Sequence, residues 1–158
     1  MSSPAPTRIV IGSDHAGFPL KGRVIALLEK LGCTVIDVGS YDERPVDFPD
    51  ITGNVCRHVV DGRADRGMLV CGTGVGASIA ANKVAGIRAA VCHDVHSAHQ
   101  SVEHDDVNVM CIGAQIVGPW LAEDLVNAFI AARFDATEDH VRRVAKLHDM
   151  DKARAAGA

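Results

Sequence analysis

The chain has no apolar run approaching bilayer-crossing length, and its opening residues lack the apolar core of a secretory leader, so neither a membrane-spanning nor an exported protein is expected. It has no excess of positive charge: 16 lysines and arginines against 20 acids leave a formal net charge of -4. Attraction to a polyanion, whether nucleic acid or an acidic membrane surface, therefore has no electrostatic basis. Paired cysteines are also missing. The five present (Cys33, Cys56, Cys71, Cys92, Cys111) are odd in number, show no CxxC spacing and sit mostly in apolar runs, as reduced thiols in a cytoplasm do. There is no internal repeat, linker or low-complexity tract. The 158 residues, 47% of them hydrophobic, read as one globular domain over 1–158, with residues 1–7 expected to fray.

What is present is organised around Gly67 to Lys83, GMLVCGTGVGASIAANK. An apolar run (Met68, Leu69, Val70) stops at Cys71, glycines follow at positions 72, 74 and 76, and small helix-compatible residues (Ala77 to Ala81) come next. That pattern is strand, tight loop, helix. The glycines let the backbone approach a ligand closely, and the N–H groups opening the helix point at any negative charge held there. A thiol between a strand end and a helix N-terminus is expected to have a lowered pKa, which suits a base or nucleophile near neutral pH. The alternative is a small buried hydrophobe, since free cysteine is among the most buried residue types.

Elsewhere, strands are expected at Arg8–Ser13, Cys33–Val38, Gly86–Cys92 and Val107–Ile112. Helices are expected from Leu20 to a stop at Gly32, from Asp50 to Val60, through the histidine-rich segment to Glu103, over Leu121–Ala132, and from Glu138 to about residue 153. Strands alternating with helices predict a doubly wound α/β domain whose ligand lies beyond the carboxyl ends of its strands. Asp14-His15 and Cys71-Gly72 occupy two such ends.

Several motifs can be set aside. The loop is GxGxG, not the GxGxxG of a dinucleotide site, and no Gly-Lys-Ser/Thr follows as in a phosphate-binding loop. A cysteine phosphatase would place arginine six residues after Cys71, where Ala77 stands. His93, His96 and His99 suggest a metal, but steps of three drift around a helix; the plainer reading is a solvated or interface helix. His104, with Asp105 and Asp106, precedes a strand, the end where ligands seldom bind. It acts as acid or base if a neighbouring subunit carries it into the site, and is otherwise surface.

With these pieces in view, the chain resembles the type B ribose-5-phosphate isomerases, a family that includes the galactose-6-phosphate isomerase subunits. GSDHAG (12–17), VDFP (46–49), CGTGVGASIAANKVAGIRA (71–89), HDDVNV (104–109) and IGAQIVG (112–118) carry the resemblance. It implies a flavodoxin-like, Rossmann-like three-layer sandwich with a five-stranded parallel sheet. It also implies a homodimer or tetramer without metal or cofactor, each site shared by two subunits and the last helix packed on the partner. The reaction implied interconverts ribose 5-phosphate and ribulose 5-phosphate through an enediolate.

Position by position, the resemblance makes Cys71 the proton-transfer base and surrounds the enediolate oxygens with the N–H groups of Gly72, Gly74, Val75 and Gly76. Thr73 and Asp14 orient the sugar hydroxyls and assist, His15 touches substrate, and His104 is the ring-opening acid/base from across the interface. Asp47-Phe48 stands where the family has Asp-Tyr. The phosphate grip departs from the ribose enzymes: Asp105 replaces Asn, Gln115 replaces Arg, and of two arginines in the last helix only Arg143 matches, the first falling on Asp139 or, one residue off, Glu138. The tail TEDHVRRVAKL is closer to a galactose-6-phosphate isomerase subunit. Another sugar phosphate, or a free sugar, is thus the alternative substrate. From other classes, a flavin- or nucleotide-binding module would reveal itself by colour or AMP binding. A thiol hydrolase would not exchange a sugar C2 proton with solvent.

Overall fold

The computed structural model describes residues 7–157, so the expected fraying lies outside it except at Thr7, whose carbonyl accepts from Thr34 N–H at 3.1 Å. Among the described residues, strands and helices alternate as β1 (Arg8–Ser13), α1 (Phe18–Lys30), β2 (Thr34–Asp37), α2 (Phe48–Val60), β3 (Arg66–Cys71), α3 (Val75–Ala81), β4 (Ala89–Val91), α4 (Val95–Asp105), β5 (Val109–Gly113), α5 (Pro119–Ala131) and α6 (Glu138–Ala155). The five strands are parallel throughout, in the order β2-β1-β3-β5-β4.

The doubly wound class is as expected, but the last two strands are exchanged relative to the consecutive 2-1-3-4-5 order of a flavodoxin. Burial accounts for the exchange. Every residue of β5 is buried, whereas β4 is three half-buried residues, a short strand suited to a sheet edge. The segment 82–88 after α3 is long enough to step over one strand position, and α4 returns the chain to fill it. Strand pairing in 86–92 is also shorter than its apolar character suggests, because Gly86 takes a positive φ of 85° and Arg88 N–H bonds the Asn108 side chain instead of a strand.

Right-handed crossovers decide which face each helix covers. Steps toward β2 and back from β4 place α1 and α4 on one face with α5, while steps in the other direction place α2 and α3 on the opposite face. The strands alternate to match. Ile9, Ile11, Met68, Val70, Met110 and Ile112 fill the core beneath α1, α4 and α5. Val10, Leu69, Cys71, Val109 and Cys111 fill the one beneath α2 and α3, so β3 delivers the Cys71 side chain to the second layer at the point where the strand ends in the glycine loop.

Candidate active site

Asp14 and Cys71 follow or end the adjacent strands β1 and β3, where the winding of the sheet reverses. Both are 8% exposed, and the Cys71 thiol donates to Asp14 Oδ2 at 3.4 Å. Asp14 is held in turn by Gly17 N–H, which donates to Oδ1 at 2.8 Å. The other four cysteines, Cys33, Cys56, Cys92 and Cys111, are buried as well. Burial raises their pKa, to about 11 for Cys56 and well above the ordinary thiol range for the fully enclosed Cys111, so they remain protonated packing groups.

Over Cys71 lies the loop Gly72–Gly76. Gly74 adopts φ 80°, a left-handed conformation that glycine enters without a Cβ penalty, and caps the seven-residue α3. The packing around the loop requires small residues too: a Cβ on Gly76 would lie 2.8 Å from the Phe48 ring, and one on Gly113 would lie 2.7 Å from Thr73 backbone. Thr73 and Val75 are exposed at the rim, with Val75 N–H turned to Thr73 Oγ1 at 3.3 Å. The Gln115 side chain lies over Gly72, and exposed His15 accepts Val46 N–H on Nδ1 at 3.3 Å. The carboxyl end of the sheet thus gathers Asp14, His15, Cys71, Thr73, the loop N–H groups and Gln115.

His104, Asp105, Asp139 and Arg143 are elsewhere. β3 and β5 run side by side from Gly67↔Val109 to Cys71↔Gly113, and His104 precedes Val109. It therefore lies at the amino end of the sheet, separated from Cys71 by the strand length of roughly 13 Å and the connection beyond it. The expected polar cluster before β5 is in fact the last turn of α4, which runs through Asp105 and is closed by Asp106 at φ 50°. The His104 ring stacks on His140 with centroids 4.4 Å apart. Asp139 pairs with Arg142 at 2.7 Å and with Arg143 at 3.5 Å, and Arg142 above all holds its carboxyl below the ordinary range. The candidate residues therefore form two groups at opposite ends of the sheet.

The histidine-rich segment also changes. Asp94 caps α4, so His93 is outside the helix; among the described residues no group of three or more His, Cys, Asp or Glu is placed to hold a metal. A cavity of about 730 Å³ lies away from Cys71 between α6 and β4, lined in part by Arg88, Leu147 and Met150. No helix among the described residues is long and apolar enough to cross a membrane.

Sequence reading missed Lys21. Its ammonium is buried, donating to Asp37 Oδ1 at 2.8 Å, to Oδ2 at 3.0 Å and to the Ser40 carbonyl. Ser40 N–H and the Gly39 carbonyl in turn bond the backbone of Ser13, next to Asp14. The signal was available: Lys21 shares the apolar face of α1 with Val24 and Leu28, where a cation needs a buried acceptor.

A Ribose/Galactose Isomerase family model matches residues 9–147. The chain belongs to that family. It is 42% identical to ribose-5-phosphate isomerase B of Escherichia coli, over 93% of this chain and 98% of that one. It is also 42% identical to the D-erythrulose-4-phosphate isomerase of Pectobacterium atrosepticum, over 80% and 84%. The solved ribose-5-phosphate isomerase B of Clostridium thermocellum superposes with a TM-score of 0.91 at 44% identity, covering 93% of this chain and 99% of that one. The protein is accordingly an isomerase interconverting aldoses and ketoses.

Proposed function

We propose that this isomerase converts ribose 5-phosphate to ribulose 5-phosphate and back through an enediolate, with Cys71 as the proton-transfer base. The observation that carries the reading is the Cys71 thiol 3.4 Å from the Asp14 carboxylate, beneath a glycine loop at the carboxyl end of the sheet. Once its thiol proton has passed to the adjacent Asp14 carboxylate, Cys71 takes the proton from C2 of the open-chain aldose. The C–H electron pair forms the C1=C2 bond and the aldehyde oxygen becomes anionic, facing the N–H groups of Gly72 to Gly76. The O2 hydroxyl proton passes to O1 and the Cys71 proton returns to C1, leaving a ketone at C2. Asp14 and Thr73 orient the hydroxyls.

His104 would open the sugar ring from a second copy of the chain, since its own half-site is at the far end of the sheet. Exposed Val141, Leu147 and Met150 on α6 offer apolar surface for that partner. Five unpaired, buried thiols fit the reducing cytoplasm.

Cys71→Ala should leave the fold intact and abolish isomerisation; a variant retaining a tenth or more of wild-type turnover would sink the base assignment. Mixing inactive Cys71→Ala and inactive His104→Ala chains should restore part of the activity. An active monomer by light scattering argues against a shared site.

A second substrate reading has its own support. By the resemblance, Gln115 and Asp139 (or Glu138, one residue off) stand where a ribose enzyme has cations for the phosphate; Asp139 pairs with Arg142 and Arg143, and a relative of equal identity is a D-erythrulose-4-phosphate isomerase. Turnover of pentose, tetrose and hexose substrates, each with and without phosphate, separates the two readings.

A further inference from the structure

We propose that His93 is a positioning residue for the isomerisation, acting through the backbone of Gly113 to aim the N–H groups of the Cys71 loop; this rests on the isomerase reading of that loop. Asp94 takes the helix cap, accepting Ser97 N–H at 2.7 Å and the Ser97 hydroxyl at 2.6 Å, which leaves His93 at the exit of β4. There the half-buried imidazole accepts Gly113 N–H on Nε2 at 2.9 Å. The bond fills a defined vacancy in the sheet. Cys92 N–H bonds the Cys111 carbonyl at 3.1 Å, and in a parallel ladder the next donor on β5, Gly113, would find a carbonyl of β4. The chain leaves the sheet at that point, and the His93 ring supplies the acceptor instead. Acceptance on Nε2 places the imidazole hydrogen on Nδ1 and occupies the nitrogen that a metal reading would need.

The turn after Gly113 holds the catalytic loop. Ala114 N–H bonds the Cys71 carbonyl at 2.8 Å, and Gln115 N–H bonds the Gly72 carbonyl at 3.0 Å. A peptide unit is planar, so fixing the Cys71 carbonyl fixes the direction of Gly72 N–H, and fixing the Gly72 carbonyl fixes that of Thr73 N–H. The fit has no slack on the Gly113 side, where a Cβ would sit 2.7 Å from Thr73 backbone and 2.8 Å from the Gly72 carbonyl oxygen. Without the His93 acceptor, the buried Gly113 N–H is left unpaired, the 113–115 turn shifts to satisfy it, and the loop donors move with it.

Two measurements on the full-length enzyme test this. In uniformly ¹⁵N-labelled protein without substrate, a through-hydrogen-bond N–N coupling should connect Gly113 N to His93 Nε2; its absence, with Gly113 N–H exchanging freely, overturns the clamp whatever sugar the enzyme takes. In steady-state assays with the sugar the wild type turns over, His93→Leu should lower kcat by between about tenfold and a hundredfold, while KM changes by less than about threefold. His93→Gln, whose side-chain oxygen reaches about as far as Nε2, should recover most of that loss. Equal impairment of folded Leu and Gln variants, or a Leu variant with wild-type kcat, overturns the proposal. If His93→Leu does not fold, His93→Asn takes its place: its amide is too short to reach Gly113, so it should lose kcat where Gln keeps it, and equal kcat in the two overturns the proposal. A wild type that isomerises no sugar at all would remove the isomerase reading and leave the coupling result standing on its own.

Discussion

Gly17→Ala should disable this enzyme although alanine is compatible with the backbone there. Gly17 has φ -86° and ψ -19°, so the substitution introduces no dihedral strain. The obstacle is space. A Cβ at residue 17 would lie 1.8 Å from the Val70 carbonyl oxygen, 2.2 Å from its carbon and 2.7 Å from Cys71 N, all of it backbone of the central strand. Reaching ordinary contact requires the start of α1 to retreat by roughly 1.6 Å (3.4 less 1.8). That displacement breaks two interactions: Gly17 N–H to Asp14 Oδ1, now 2.8 Å, and the Cys71 thiol to Asp14 Oδ2, now 3.4 Å. Overpacking a rigid site costs about 1–3 kcal/mol and each of the two hydrogen bonds contributes about 1 kcal/mol, so the fold should lose about 3–5 kcal/mol. Moving Asp14 by an ångström or more should lower kcat by about a hundredfold. Urea unfolding midpoints and initial rates on the same preparation measure both. Gly22→Ala, in the interior of α1 with nothing within 4 Å of its new Cβ, is the control and should gain about 0.5–1 kcal/mol at unchanged activity. A Gly17→Ala protein matching wild type in midpoint and kcat would refute the close approach of α1 to β3.

The thiols predict a loss of stability at alkaline pH. Cys56 is raised from 9.0 to about 11 by burial, so between those values the folded chain keeps a proton that the unfolded chain has released; stability is full below pH 9 and is lost as pH rises through about 11. In that window unfolding free energies of Cys56→Ala should fall less steeply with pH than wild type, by about 1.4 kcal/mol per pH unit; equal slopes would contradict the assignment. For specificity, the double variant Gln115→Arg and Asp139→Arg should raise kcat/KM for ribose 5-phosphate by on the order of a hundredfold, since two charge-assisted hydrogen bonds are worth about 3 kcal/mol. A wild type already strongly favouring ribose 5-phosphate, with no gain in the double variant, would show that other cations such as Arg142 or Lys146 grip the phosphate.

Local patterns made much of the fold and the strand-loop-helix at Cys71 legible. The apolar run ending at Cys71 and the glycines after it announce strand, loop and helix, because chain geometry there depends on neighbours a few residues away. The spacing of Leu20, Val24 and Leu28 announces the buried face of α1 for the same reason. Where local signals compete, pattern alone misleads. Histidines three apart look helical, yet Asp94 and Ser97 form the cap that leaves His93 outside α4, and His104 with Asp105 belongs to the last turn of that helix.

By itself the sequence determined the alternation of strands and helices, the doubly wound class and the loop at Cys71, since each follows from periodicity and turn chemistry within a short stretch. Only the tertiary structure decided the exchange of β4 and β5, because the connections reach either order and the choice depends on which strand can be buried on both faces. Only it joined Asp14 to Cys71, residues 57 positions apart, and put Lys21 beneath the Ser40 loop and His93 on Gly113. It also set His104 and Arg143 at the end of the sheet opposite Cys71. Side-chain contacts across a sheet depend on strand order, register and crossover hand together, and none of these is written in any one segment of the chain.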